Sequence, residues 1–234
     1  VHSSELISGE ATIDGSQGLV IPGGFSYGDI IRAGALFASE LRVPRAADQL
    51  NTFAEAGKPI IGTCNGDQVL IELGLLPNGH IDDLTQHDFT LAPNQNAKFE
   101  CRWTRLRVEG SACPFIPDKD IGTVIELPVA HAEGRLRARH PLNHPDLIAA
   151  GQVVLRYCDE SGEPTEDYPA NPNGSPYGIA ALCSPSGTIF GMMPHDERAS
   201  RREHHPNWRR PDYIPPERFE AKILAGAVRY TRES

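Results

Sequence analysis

The chain has 234 residues, 39% of them apolar and 23% charged, with a formal net charge of −9. That length and apolar share suit one large soluble domain with a sizeable core, and the negative charge argues against a nucleic-acid footprint or attraction to an anionic membrane. Five cysteines, Cys64, Cys101, Cys113, Cys158 and Cys183, form no Cys-x-x-Cys pair, which argues against a disulfide framework or a thiolate metal site and for a reducing compartment.

Val1-His-Ser-Ser-Glu-Leu6 opens the chain without a secretion pattern, and no apolar run approaches membrane-spanning length. Gly18-Leu-Val-Ile-Pro22 has the pattern of a short buried strand and ends in the glycine-rich turn Gly23-Gly24-Phe25-Ser26-Tyr27-Gly28-Asp29. Such a turn brings backbone N–H groups close to whatever sits at the strand ends. It matches neither a dinucleotide fingerprint nor a Walker A loop. Helical periodicity covers residues 30–43, with Ala33-Gly34-Ala35 small enough for close packing, and Pro44 opens a second helix to about residue 56.

Residues 59–61 predict a buried strand that breaks at Gly62-Thr-Cys64-Asn-Gly66, after which Val69, Leu70 and Leu73 set a helical spacing. Glycines two residues either side of Cys64 make a G-x-Cys-x-G elbow, the device that in G-x-S-x-G enzymes lifts a nucleophile on a strained strand-to-helix turn. The thiol would then sit over a helix N-terminus, where the dipole and free N–H groups favour thiolate. The competing reading is a small buried apolar residue. Strand and helix alternate up to this point, which predicts an α/β fold with a parallel sheet.

After Leu76-Pro77 the pattern changes. Residues 78–98 read as a polar loop, and residues 99–108 alternate like a half-exposed strand. Further strands are predicted at 124–129 and 153–157, a mixed or antiparallel addition to the sheet, with a short helix between residues 140 and 151. Residues 168–176 form a turn cluster. A hairpin is predicted from strands 179–183 and 188–192 around Ser184-Pro-Ser-Gly187. A proline-rich stretch, 206–216, precedes a last helix at 218–230.

His195 and Glu197 follow that hairpin directly. Cysteine catalysis needs an imidazole to take the thiol proton and a third group to orient the imidazole. A spacing of two in a loop lets the carboxylate fold back onto its neighbour. On spacing alone a surface pair is the simpler reading; with the elbow, a Cys64–His195–Glu197 triad is expected.

Four segments now point to one family: Pro22-Gly-Gly-Phe-Ser-Tyr-Gly-Asp29, Gly62-Thr-Cys-Asn-Gly-Asp-Gln68, Asn171-Pro-Asn-Gly-Ser175 and Met193-Pro-His-Asp-Glu-Arg198. Together they resemble the class I glutamine amidotransferases, and within them the glutaminase components of phosphoribosylformylglycinamidine synthase. The resemblance spans the chain in the expected order. It implies a three-layer, flavodoxin-like α/β domain over residues 1–234, with a mostly parallel central sheet and a mixed or antiparallel extension. It assigns Cys64 as the nucleophile that forms a glutamyl thioester, His195 as base and acid, and Glu197 as its orienting group. Backbone N–H groups of Gly23, Gly24 and Asn65 would form the oxyanion hole, and Gln68 would contact glutamine. Ammonia would pass to a synthetase subunit of the PurL kind, with a small bridging subunit of the PurS kind as a further partner. ATP and Mg²⁺ would belong to that synthetase, with no cofactor or metal on this chain, and the expected location is cytoplasmic. Two alternatives stay open: an amidotransferase serving another acceptor, and a catalytically silent assembly or regulatory subunit.

The chain departs from the family pattern in three places. The strand–helix unit with which the family opens has no counterpart here. Asp67 stands where an apolar residue is usual, close enough to raise the Cys64 pKa if it faces the thiol. Asp196 stands where proline is usual, which would loosen the loop holding His195 and Glu197. His131 and Glu133 resemble a family segment and read as a loop near the active site or the synthetase interface, since two such residues make a poor metal site. Arg198, Arg201, Arg202, His204, His205, Arg209 and Arg210 read as a solvated basic face or a dock for an acidic partner. Trp208 is expected to pack, and the other four cysteines to be structural.

Overall fold

The structure, a computed structural model, describes residues 1–28, 32–81, 83, 87–141, 143–213 and 222–233. The first helix, α1 (Ser3–Ser8), has no apolar periodicity to announce it. It is held by a reciprocal cap in which His2 Nδ1 accepts the Ser4 N–H and the Glu5 carboxylate accepts the His2 N–H. Next come β1 (Leu19–Ile21), α2 (Ala33–Leu41), α3 (Pro44–Glu55), β2 (Ile60–Thr63), α4 (Asn65–Leu73) and the short α5 (Leu75–Asn78). From β1 to α4 these match the predicted order, and α5 is an addition to it; Asp29 and the first two residues of the predicted 30–43 helix lie outside the described residues. Pro44 stands at the first position of α3, where its missing N–H costs nothing.

The second half holds β3 (Phe89–Pro93), β4 (Glu100–Val108), β5 (Val124–His131), β6 (Glu133–Ala138), α6 (Asn143–Ala149), β7 (Val153–Tyr157), β8 (Ile179–Cys183), β9 (Ile189–Met192) and α7 (Lys222–Glu233). Residues 218–221 of the predicted last helix lie outside the described residues. Seven strands form one sheet in the order β1-β2-β9-β8-β7-β4-β5. β1, β2 and β9 pair parallel, and this stretch carries the elbow. From β9 to β5 every pairing is antiparallel, because these strands are joined by hairpins and loops rather than by crossover helices.

Both faces of the sheet are covered, which gives the α/β three-layer fold. Adjacent residues of a strand point to opposite faces: Ile60 joins a core with Leu50, Phe53, Val69 and Leu70 from α3 and α4, while Ile61 joins a second core with Phe115, Leu155, Phe190 and Ile223. Strands β2, β8 and β9 are buried along their whole length, as strands covered on both faces must be.

Residues 78–98 are not simply a loop. β3 pairs antiparallel with β6 as a separate two-stranded sheet, and Leu91 and Leu136 feed the α4-side core. The alternation at Phe89-Thr-Leu and at Arg135-Leu-Arg carried that signal, and the partner strand lies too far along the chain to read as a hairpin.

Candidate active site

Cys64 sits between β2 and α4 with φ 53° and ψ −108°, a strained conformation for a residue with a side chain. Two contacts hold it. Its N–H donates to the Met192 carbonyl on β9 at 2.7 Å, which continues the parallel ladder into the turn. Gly66 lies so close to β1 that a Cβ there would collide with the Ile21 carbonyl, so only glycine lets α4 start at this height. The elbow read from the sequence is present.

The thiol is not a preformed thiolate. Burial pushes the Cys64 pKa up to about 12; the Asn65 backbone N–H opposes this, Asp67 adds to it, and Arg198 and Glu197 act in opposite senses. Desolvation therefore outweighs the helix N-terminus. Sγ donates to the carbonyl of Ala130, the second-last residue of β5, at 3.6 Å. A base must take the proton before this sulfur can attack.

The histidine expected to act as that base stands close by, across Gly23. His195 is 1% exposed, and its backbone N–H donates to the carbonyl of Pro128 on β5 at 2.8 Å. Its Nδ1 lies 2.5 Å from Glu197 Oε1. A carboxylate only accepts, so Nδ1 donates to it, and Nε2 has no hydrogen-bond partner in the protein. Burial would raise the Glu197 pKa, but the hydrogen bond to His195, that ring's charge and Arg198 outweigh it and hold the carboxylate low. Gly23 fits between Cys64 and His195: a Cβ there would stand 2.9 Å from His195 Cε1 and 3.3 Å from Cys64 Cβ.

Beside Cys64 opens a pocket of about 70 Å³, walled by Gly24, Phe25, Asn65, Gln68, His131 and Glu133 among others. The Asn65 side chain donates to Ser26 Oγ at 2.5 Å, tying the elbow to the glycine-rich turn. Gln68 donates to the Glu133 carbonyl at 2.6 Å. The Glu133 carboxylate accepts the Arg32 N–H at the start of α2 at 2.9 and 3.1 Å. One residue of β6 thus joins α2 and α4 at the pocket mouth. A larger cavity, about 730 Å³, lies between α1 and α2 near Ile7, Tyr27, Phe37 and Val43, away from the nucleophile.

Sequence reasoning left the Asn171–Ser175 segment as a turn cluster and a family signature. Its side chains are fully buried and build the pocket wall from behind. Asn173 donates to the Gly134 carbonyl at 2.7 Å, and Ser175 Oγ accepts the Leu136 N–H at 3.0 Å. These bonds fix β6 and the His131–Glu133 bend over Cys64.

Two departures resolve. Asp67 is buried against Gly191 of β9, burial raises its pKa well above the ordinary carboxyl range, and it faces no solvent. Asp196 does not loosen its loop. Its carboxylate accepts the N–H groups of Ile223 and Leu224, at 3.2 and 3.4 Å, so it caps α7. The basic face also needs correcting. His205 is buried, edge-on to Trp103 and stacked on Tyr213, with Nε2 3.1 Å from Glu126, so it packs where the sequence placed it on a surface. Arg209 lies over the Trp208 ring at 4.6 Å. Cys101 is exposed; Cys113, Cys158 and Cys183 are buried thiols. No group of three or more potential metal ligands occurs among the described residues.

Residues 1–231 match the model of the CobB/CobQ-like glutamine amidotransferase domain, which sets the class as glutamine amidotransferases. The chain is 38% identical over 234 residues to the phosphoribosylformylglycinamidine synthase subunit PurQ of Dehalococcoides mccartyi, covering all of this chain and 87% of that one. It is 45% identical over 192 residues to the PurQ subunit of Archaeoglobus fulgidus, covering 78% and 68%. Its fold superposes on the structure of PurLQS from Thermotoga maritima with a TM-score of 0.68 at 32% identity, covering 94% of this chain and 82% of that one. The chain belongs, within that class, to the PurQ family.

Proposed function

We propose that this chain is the glutaminase component of phosphoribosylformylglycinamidine synthase, hydrolysing glutamine to glutamate and ammonia. The observation that carries the chemistry is the His195–Glu197 pair at 2.5 Å, packed against Cys64 across Gly23. Glutamine enters the pocket with its side-chain amide at Cys64 and its polar groups toward Gln68. His195 Nε2 takes the thiol proton, Glu197 stabilises the resulting imidazolium, and the sulfur attacks the amide carbon. The oxyanion is met by the Asn65 N–H and by N–H groups of the Gly23-Gly24 turn, each worth about 2.7–4 kcal/mol in such sites. His195 returns its proton to the amide nitrogen, ammonia leaves, and water then cleaves the thioester.

The relatives are named as subunits of the synthase, and the Thermotoga maritima structure is named as an assembly of L, Q and S components. This supports a PurL-like synthetase as partner and a PurS-like bridging subunit beside it. ATP and Mg²⁺ would act on the synthetase, where ammonia converts formylglycinamide ribonucleotide to the amidine. We place the chain in the cytoplasm on its cysteine usage, which fits a reducing compartment; no described helix is long and apolar enough to cross a membrane.

Glutamate release from glutamine tests this reading, measured for the wild type and Cys64→Ala with the matching synthetase present. Release that vanishes in the variant is the expected result. A folded chain that releases no glutamate with a competent synthetase, and whose Cys64 is not alkylated by a glutamine-analogue electrophile, would be a silent subunit instead.

A further inference from the structure

The nucleophile pocket contains a second histidine for which the triad has no use. His131 ends β5, is almost wholly buried, and forms part of the pocket wall beside Cys64. Its protonation state can be read from its neighbours. The Asn94 amide nitrogen donates to two carbonyls, that of Lys98 at 2.8 Å and that of His131 at 2.9 Å. This fixes the amide orientation, so Asn94 Oδ1 is the atom 3.0 Å from His131 Nδ1 and must be the acceptor. Nδ1 therefore carries the proton and Nε2 is a bare lone pair.

That Nε2 is buried and has no partner in the protein, an expensive condition for a polar atom unless something arrives to satisfy it. The ring cannot turn away. Gly134 packs against it so closely that a Cβ there would lie 3.0 Å from both Cε1 and Nδ1, and Gly134 is itself tied down by Asn173. Burial and the nearby His195 lower the His131 pKa to about 4, against a smaller opposing pull from Glu100. The ring stays neutral while its neighbour takes up and gives back a proton.

A buried, fixed, unprotonated nitrogen recognises an N–H donor. In a glutaminase pocket the donor that changes most during reaction is the amide nitrogen of the substrate. Resting on the glutaminase reading above, we propose that His131 is a further catalytic residue whose Nε2 accepts an N–H of the glutamine amide as that nitrogen departs. In the tetrahedral intermediate the proton on His195 passes to the amide nitrogen and the C–N bond breaks. Its electron pair leaves with the nitrogen, and the oxyanion's pair re-forms the carbonyl of the thioester. Ammonia is released with one N–H held by His131, whose Nε2 has no proton to give it, so this histidine does not convert the product to ammonium.

The test compares leaving groups in the full chain with its synthetase. Glutamine presents an N–H to His131, whereas glutamate γ-methyl ester leaves through an oxygen with no N–H. His131→Asn, which removes the acceptor from the pocket, is expected to lower kcat on glutamine about 10- to 100-fold and to leave ester hydrolysis nearly unchanged. His131→Gln restores an oxygen near the Nε2 position and is expected to recover part of the amide activity. Equal losses on amide and ester, or no loss on glutamine, overturn the proposal. Should both variants fail to fold, ¹⁵N spectra of the Cys64→Ala chain decide it. His131 Nε2 must resonate as an unprotonated nitrogen and shift when glutamine is added; no shift overturns it. Wild type that turns over neither substrate overturns the glutaminase reading itself, and this inference with it.

Discussion

His195 and His131 are both buried, both hold a proton on Nδ1, and both leave Nε2 without a protein partner. They differ in the acceptor on Nδ1. Glu197 is a carboxylate held in its charged form, so the partner of His195 is an anion. Asn94 is a neutral amide, so a proton on His131 would stand uncompensated, and burial keeps it off. One loop at the end of β9 thus builds the proposed proton carrier, and one bend between β5 and β6 the proposed fixed acceptor, from the same side chain.

Exchanging the two acceptors breaks the comparison most directly. Glu197→Gln gives His195 the kind of partner His131 has. Glutamate release is expected to fall by about 10²- to 10⁴-fold, and an unchanged rate would mean that Glu197 does not set the base. The reverse exchange, Asn94→Asp, gives His131 a carboxylate. In the wild type the folded His131 pKa of about 4 lies below the unfolded value near 6.5. The unfolded chain therefore binds its proton first as pH falls, and stability is lost between about pH 6.5 and 4, on the order of 3 kcal/mol. Asn94→Asp should raise the His131 pKa and shrink that loss, which urea unfolding at pH 7.5 and pH 5 would measure.

Asp67 sharpens the same point from the acid side. Its folded pKa is raised, so the folded chain keeps a proton that the unfolded chain releases, and stability is lost as pH climbs above the ordinary Asp value. Asp67→Leu is expected to stabilise the protein by about 1–3 kcal/mol at pH 8 and to flatten that slope in thermal melts. The smallest effect is expected for Asp196→Ala, which removes the cap on α7 and should cost about 1 kcal/mol of stability. A melting temperature equal to wild type would show that the cap contributes nothing.

The carrier half was legible in the sequence because its geometry is local. Gly62 and Gly66 flank Cys64 within one turn, the strand and helix around it have clear periods, and Glu197 reaches His195 from two residues away. The acceptor half was not legible. β3 and β6 pair residues 40 to 49 positions apart, and the Asn94 amide that fixes the His131 tautomer comes from a stretch that reads as loop. The buried side chains of Asn171, Asn173 and Ser175 look like any polar turn until the backbone they serve is seen. Asp196 was misjudged for a related reason: its missing proline ring was visible in the sequence, while the helix end it caps begins 26 residues later.

That cap has a mechanical consequence. The residue gripping the start of α7 stands between His195 and Glu197, so the helix and the loop that holds this pair share one anchor. The far end of α7 is fastened to the body by Tyr230, which donates to the Gly57 carbonyl at 3.2 Å. Gly57 leads into β2, the strand that ends before Cys64, so one helix spans from the start of the Cys64 strand to the loop of His195.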